Sequence, residues 1–252
     1  MSRQPPDRQV APAVQRLRLR YAKRDRLRFA SHRDFQRAFE RALRRAEIPI
    51  AFSAGFSPHP KVSYANAAPT GAASEAEYLE IAVTAQCDPE RVRVALDAAL
   101  PPGLDIVEVV QARTADFVER LQASCWRIEL PGVSQQQAQA AVEALLAVPE
   151  VIVERLTKQG RRAFDARGAI DRLEVEPADE GVPMTALDGE CAILTAVVRH
   201  GTPTVRPDDV LAALKKVADL VPPAPARVTR LAQGPLAPGA RTVGDPFAAD
   251  RA

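Results

Sequence analysis

Read by hydrophobic period, the chain passes twice through one series of strand, helix, strand, strand, helix and strand. That repetition constrains the fold more than any single segment does. In the first pass Leu17, Leu19 and Tyr21 alternate with Arg16, Arg18 and Arg20, the pattern of a half-buried strand. Leu27 and Phe29 carry the apolar alternation to Ser31, a residue type suited to an N-cap. Phe35, Ala38, Phe39, Ala42 and Leu43 then share one face of a helix over residues 32–46. A short apolar stretch at 48–52, a loop punctuated by Gly and Pro, strands at 62–65 and 77–84, a helix at 89–100 and a strand at 104–110 complete the pass. The second pass gives a strand at 124–130, a helix at 134–147, a strand at 151–156 and a turn at 159–162. Strands at 169–175 and 191–198, a helix at 207–218 and a strand at 226–231 close it.

This order is the split βαβ, or ferredoxin-like, motif, in which two helices cover one sheet face and leave the other open. The expected architecture is therefore α+β, with two tandem ferredoxin-like (βαββαβ) lobes at 15–113 and 120–234, joined near 113–119. A polar, proline-dotted N-terminal tail over 1–14 and a Pro-, Gly- and Ala-rich C-terminal tail over 235–252 are expected to be flexible or disordered. With 252 residues at 46% hydrophobic, the chain can fill two ordinary cores. No apolar run of about 18 residues and no signal-peptide core are present, so the expectation is a cytoplasmic protein without a membrane partner. Cys87, Cys125 and Cys191 are far apart in sequence, which reads as buried thiols and not as a disulfide framework.

The net charge of +2 conceals an uneven distribution. Between Arg16 and Arg45 the cations Arg16, Arg18, Arg20, Lys23, Arg24, Arg26, Arg28, Arg33, Arg37, Arg41, Arg44 and Arg45 face only Asp25, Asp34 and Glu40. Strand alternation sets Arg16, Arg18 and Arg20 opposite the leucines, and helix period sets Arg37, Arg41, Arg44 and Arg45 toward solvent. Such a surface is the electrostatic footprint of RNA binding; the competing reading is a solvated face. Lys158, Arg161 and Arg162 around Gly160 form a second cationic group at an expected hairpin tip. That tip is suited either to a nucleic-acid groove or to protecting an exposed edge.

The loop Gly55, Phe56, Ser57, Pro58, His59, Pro60, Lys61 combines stiff backbone with polar tips. His59 and Lys61 suit an anionic group, and His59 or His32 suits proton transfer; alternatively, His32 and Asp34 only terminate a helix. Metal binding is not expected, since the three histidines show no ligand spacing. Glu77 and Glu80 should point to opposite faces of their strand and so not act as an acid/base pair. Arg206 before Pro207 gives a weak anion signal at a helix start.

The segments Leu-Arg-Phe-Ala-Ser-His-Arg-Asp from Leu27 and Gly-Phe-Ser-Pro-His-Pro-Lys from Gly55, with residues 158–167 and the helix start at Arg206, resemble the radical-SAM-linked domain family. The resemblance covers roughly residues 17–231. It implies a fold and a partner class, a radical SAM protein, but no mechanism; joined with the basic surface, it makes the leading expectation an accessory, RNA-binding or substrate-presenting partner of a separate radical SAM enzyme, with tRNA or rRNA modification as one setting. The chain lacks the closely spaced cysteine triplet that holds a [4Fe–4S] cluster, so cluster and S-adenosylmethionine would be carried by that partner. Two other readings stand beside it. One is a metal-independent RNA-processing enzyme using His32 or His59, which at fold level resembles the CRISPR repeat-processing endoribonucleases. The other is a non-catalytic protein–protein adaptor.

Overall fold

The computed structural model describes residues 11–54, 56–157, 160–177, 190–237 and 242–251. Over these residues the protein is mixed α+β, with mostly antiparallel strands and five α-helices. It divides into two compact units, one formed by Met1–Val118 with Phe247–Ala252 and the other by Glu119–Pro246.

In the first unit β1 (Gln15–Lys23), α1 (His32–Arg45), β2 (Val62–Ala65), β3 (Ala73–Val83), α2 (Pro89–Ala99) and β4 (Ile106–Gln111) follow in sequence. β1 pairs with β3 and β4, and β2 pairs with β3, all antiparallel, giving the order β4-β1-β3-β2. The alternation of β1 sends Leu17, Leu19 and Tyr21 to the helix side. There they form a core with Phe35, Phe39 and Leu43 of α1, Leu79 and Ile81 of β3, and Val92 and Leu96 of α2. Ser31 starts α1 through a capping box: its hydroxyl accepts the Asp34 N–H at 3.2 Å while the Asp34 carboxylate accepts the Ser31 N–H at 3.2 Å. Asp88 caps α2 with its side chain alone, accepting the Arg91 N–H at 2.9 Å, with Pro89 in the first turn.

The opposite sheet face is not left open. Tyr78 packs edge-on against Phe117 and Phe247, with ring centroids 5.7 and 5.2 Å away. Phe247 precedes the short helix that ends the described chain, residues 248–251. The C-terminal tail expected over 235–252 is thereby corrected for its described end, because Val243, Phe247 and Asp250 are buried. These three fall at helical spacing, but the segment is rich in Pro and Gly and one of the three is a carboxylate, so no apolar stripe marks it as core.

In the second unit β5 (Ala123–Pro131), α3 (Gln135–Ala147), β6 (Ile152–Thr157), β7 (Gly160–Asp165), β8 (Ile170–Val175), β9 (Cys191–Arg199), α4 (Pro207–Ala218) and β10 (Arg227–Gly234) succeed one another. Four of these strands pair antiparallel in the order β10-β5-β9-β8. β6 and β7 form a separate two-stranded hairpin. Residues 160–162, expected within a turn, belong instead to β7, where Gly160 pairs with Thr157 at a φ of 110° that suits glycine. α5 (Ala248–Arg251) belongs to the first unit.

Candidate nucleic-acid interface

The β1 arginines expected on an exposed surface are held by acidic neighbours. Arg18 has a side chain only 3% exposed and donates to the Asp250 carboxylate at 2.6 Å, to Glu80 at 3.1 Å and to the Thr114 carbonyl at 2.5 Å. Its guanidinium also lies 4.9 Å from the centre of the Phe117 ring. Asp250 in turn accepts the backbone N–H groups of Arg113 and Thr114 at 3.1 Å. These hydrogen bonds, together with the Arg18 charge, outweigh burial and hold the Asp250 carboxyl down at about 2. Arg20 pairs with Glu108 at 3.5 Å, and the more exposed Arg16 pairs with Glu80 at 3.3 Å. The three arginines do share one sheet face, opposite Leu17 and Leu19, but it is the face bearing Tyr78, Phe117 and Asp250, so they form no free cationic surface.

The α1 arginines are placed otherwise. Arg33, Arg37, Arg41, Arg44 and Arg45 are all exposed, and among the described residues none makes an ion pair or side-chain hydrogen bond. At about 100° per residue they occupy an arc of roughly 120°, opposite the buried arc of Phe35, Phe39, Ala42 and Leu43. The Asp34 carboxyl is lowered chiefly by its hydrogen bonds from Ser31, with smaller help from Arg37 and Arg33. It is engaged in capping, and Glu40, the other acid of α1, makes no ion pair with the stripe among the described residues. Leu17 and Leu19 pack on the α1 side and Arg16, Arg18 and Arg20 on the other. The β1 and α1 arginines are therefore two sets on opposite faces, and of these two the helical set is the one without ion pairs among the described residues.

His32 opens α1, contacts Gln36 at 3.0 Å and meets the Tyr64 ring edge-on at 4.9 Å. Tyr64 is paired with Leu79 of the helix-side core, whereas His59 lines a groove on the Arg16 face, so His32 and His59 do not form one site. In the loop expected to present a site, Gly55 lies outside the described residues. Phe56 and Ser57 are exposed, and Pro58 and Pro60 are half-buried. The segment is closed by the Ser53 N–H donating to the His59 carbonyl at 2.8 Å and the His59 N–H donating to the Ser53 hydroxyl at 3.0 Å. A Phe52–Pro60 bridge and the Lys61 N–H on the Ala51 carbonyl at 2.7 Å fix its other end. The groove has a volume of about 270 Å³ and collects Arg16, Ser53, His59, Lys61, Ser63 and Glu80. Sequence reasoning expects the arginines of the N-terminal lobe to form one exposed cationic surface beside this loop; of the β1 and α1 arginines, Arg16 is the one that lines the groove with it. The signal that joins them is strand register, Arg16 opposite Ala82 and Ser63 opposite Glu80.

In the second unit Lys158 lies outside the described residues. Arg161 is 80% exposed and pairs loosely with Glu154 at 3.4 Å. Arg162 is exposed on β7, opposite Arg155. At the start of α4 the place foreseen for an anion is taken by the chain itself: Asp209 accepts the Arg206 N–H at 2.7 Å and pairs with Arg155 at 2.7 Å. His200 is not a free proton carrier. Its Nδ1 lies 2.6 Å from the Leu121 carbonyl, which can only accept, so Nδ1 carries the proton and Nε2 accepts from the Ser124 hydroxyl at 2.8 Å. Burial lowers its basicity. Cys87, Cys125 and Cys191 are free thiols, each held protonated above its ordinary value by burial. Cys125 and Cys191 lie opposite Val197 and Pro131, well apart along β5. Among the described residues no three His, Cys, Asp or Glu side chains are grouped to hold a metal ion. Among the same residues no helix is long and apolar enough to cross a membrane. Glu77, buried, accepts the Ala68 N–H at 3.0 Å and lies on the strand parity opposite to Glu80.

Fold and surface together define an α+β protein of two units whose first helix carries an uncompensated arginine face. The chain belongs to a bacterial family: residues 16–207 match the model described as "Uncharacterized protein conserved in bacteria (DUF2344)". The comparison with curated proteins gives no match.

Proposed function

We propose that the protein is an accessory RNA-binding protein that presents RNA to a separate radical SAM enzyme, using the outer face of α1 as its contact. The observation that carries the RNA part is the stripe Arg33, Arg37, Arg41, Arg44, Arg45, exposed and without ion pairs among the described residues. Like charges at i, i+4 repel and destabilise an isolated helix, so a stripe kept free of acidic partners favours an external polyanion. Guanidinium forks match phosphate oxygens, and a convex helix face without stacked aromatics favours contact with backbone over base readout. The radical SAM part rests on the family resemblance of Leu27–Asp34 and Gly55–Lys61. In it the iron–sulfur cluster and S-adenosylmethionine belong to the partner, and both meet this chain in the cytoplasm. The strand orders β4-β1-β3-β2 and β10-β5-β9-β8, each with two intervening helices, support reading both units as ferredoxin-like, the second with the β6–β7 hairpin inserted.

The test is binding of fluorescently labelled bulk tRNA, measured by anisotropy across salt concentrations. The unmodified protein should lose affinity steeply with salt, and Arg41→Ala, Arg44→Ala and Arg45→Ala combined should reduce the log–log slope by about 2 to 3. An unaltered slope in the triple variant would refute the α1 interface. RNA cleavage by the unmodified protein that is lost in His59→Ala would favour the enzyme reading instead.

A further inference from the structure

We propose that the groove between β1 and the 53–63 segment is a phosphate-binding site distinct from the α1 face. Arg16 stands opposite Ala82 on β3, and the Ala82 N–H donates to the Lys61 carbonyl at 3.1 Å, so Arg16 and Lys61 flank a residue with almost no side chain. Two strand spacings separate the α-carbons of the two residues by about 10 Å, a span from which a guanidinium, paired at 3.3 Å with Glu80, and an ammonium can reach one tetrahedral anion. The alanine floor leaves the space between them empty, and both groups line the resulting groove.

The charge balance is favourable. Glu80 is the acid of the groove and already accepts from Arg18 at 3.1 Å, while Arg18 is itself compensated by Asp250. Two arginines thus meet two carboxylates, and Lys61 adds a positive charge that no acid among the described residues neutralises. Around it stand neutral donors. The Ser53 hydroxyl accepts the His59 N–H, which leaves its own O–H to donate, and Ser63 lies beside Glu80 in the adjacent row. The His59 ring has no partner among the described residues and stands at the rim. Backbone hydrogen bonds hold this wall in place, so little ordering cost falls on binding. A volume of about 270 Å³ is at the small end of ligand sites, enough for a phosphate with its attached sugar. Because the groove and α1 sit on opposite faces of the first unit's sheet, this inference does not rest on the α1 reading.

The phosphate can belong to a free nucleotide or to an RNA strand, and the test separates these sources. The full chain, labelled at its histidine rings, is titrated with inorganic phosphate, with adenosine 5′-monophosphate, and with a short oligoribonucleotide lacking terminal phosphates, while the His59 ring signals are followed. Shifts with phosphate and the nucleotide identify a phosphomonoester site; shifts with the oligonucleotide alone identify a strand phosphate; either supports the proposal. Lys61→Ala should weaken binding about five- to tenfold, and Lys61→Arg should retain it. Absence of a His59 response to all three probes, or equal affinity in Lys61→Ala, overturns the site, whatever the tRNA measurement gives.

Discussion

A single carboxylate shows how far a residue's role can lie from its sequence neighbourhood. Asp250, with a fully buried side chain, accepts from Arg18 across 232 residues of chain as well as from Thr114 and two backbone N–H groups. Replacing it with Ala leaves Arg18 charged and buried without its closest partner, a change that costs about 3–5 kcal/mol in comparable buried pairs. Asp250→Ala should accordingly lower the urea midpoint of the first unit with little change in slope. The sign with pH follows from the direction of the shift. The folded carboxyl titrates at about 2, below its unfolded value near 3.9. Its contribution is complete above the unfolded value and is lost as pH falls toward 2, so stability should drop over that window in the unmodified protein and less so in Asp250→Asn. Equal acid sensitivity of the two proteins would count against this role for Asp250.

At the scale of elements, α1 combines a local design with an unresolved charge. Its capping box, its apolar face of Phe35, Phe39, Ala42 and Leu43, and its arginine stripe are all set by residues within 15 positions of one another. They are therefore legible in sequence. β1 is the opposite case. Its alternation announces a strand with leucines on one face and arginines on the other. The identity of what covers the arginine face depends on Phe117, Phe247 and Asp250, which no local period connects to it. The two arginine sets should respond differently to substitution. Arg41→Ala with Arg44→Ala should leave thermal stability unchanged or raise it slightly, by up to about 0.5 kcal/mol, because like-charge repulsion along the helix is relieved and Ala favours helix. A large loss of stability in that variant would mean that the stripe serves the fold and not a ligand.

At the scale of the molecule, the first unit is assembled from two distant parts of the chain. A protein ending at Pro246 should lose Phe247 from the Tyr78–Phe117 cluster and Asp250 from Arg18. Limited proteolysis should then cut within the first unit sooner, while β5 and β9 of the second unit stay protected. Protection of both units equal to that of the whole chain would contradict this. The amino-acid sequence by itself determined the succession of elements, the Ser31 cap of α1 and the gathering of arginines along the outer face of that helix, because each depends on side chains a few positions apart on one helix or strand. Only the tertiary structure decided which cations remain free and which are consumed. It also decided that β6 and β7 leave the main sheet as a hairpin, and that Arg16 meets His59 and Lys61 in one groove. Those outcomes depend on strand register and on burial against residues far along the chain, and neither quantity has a local period to betray it.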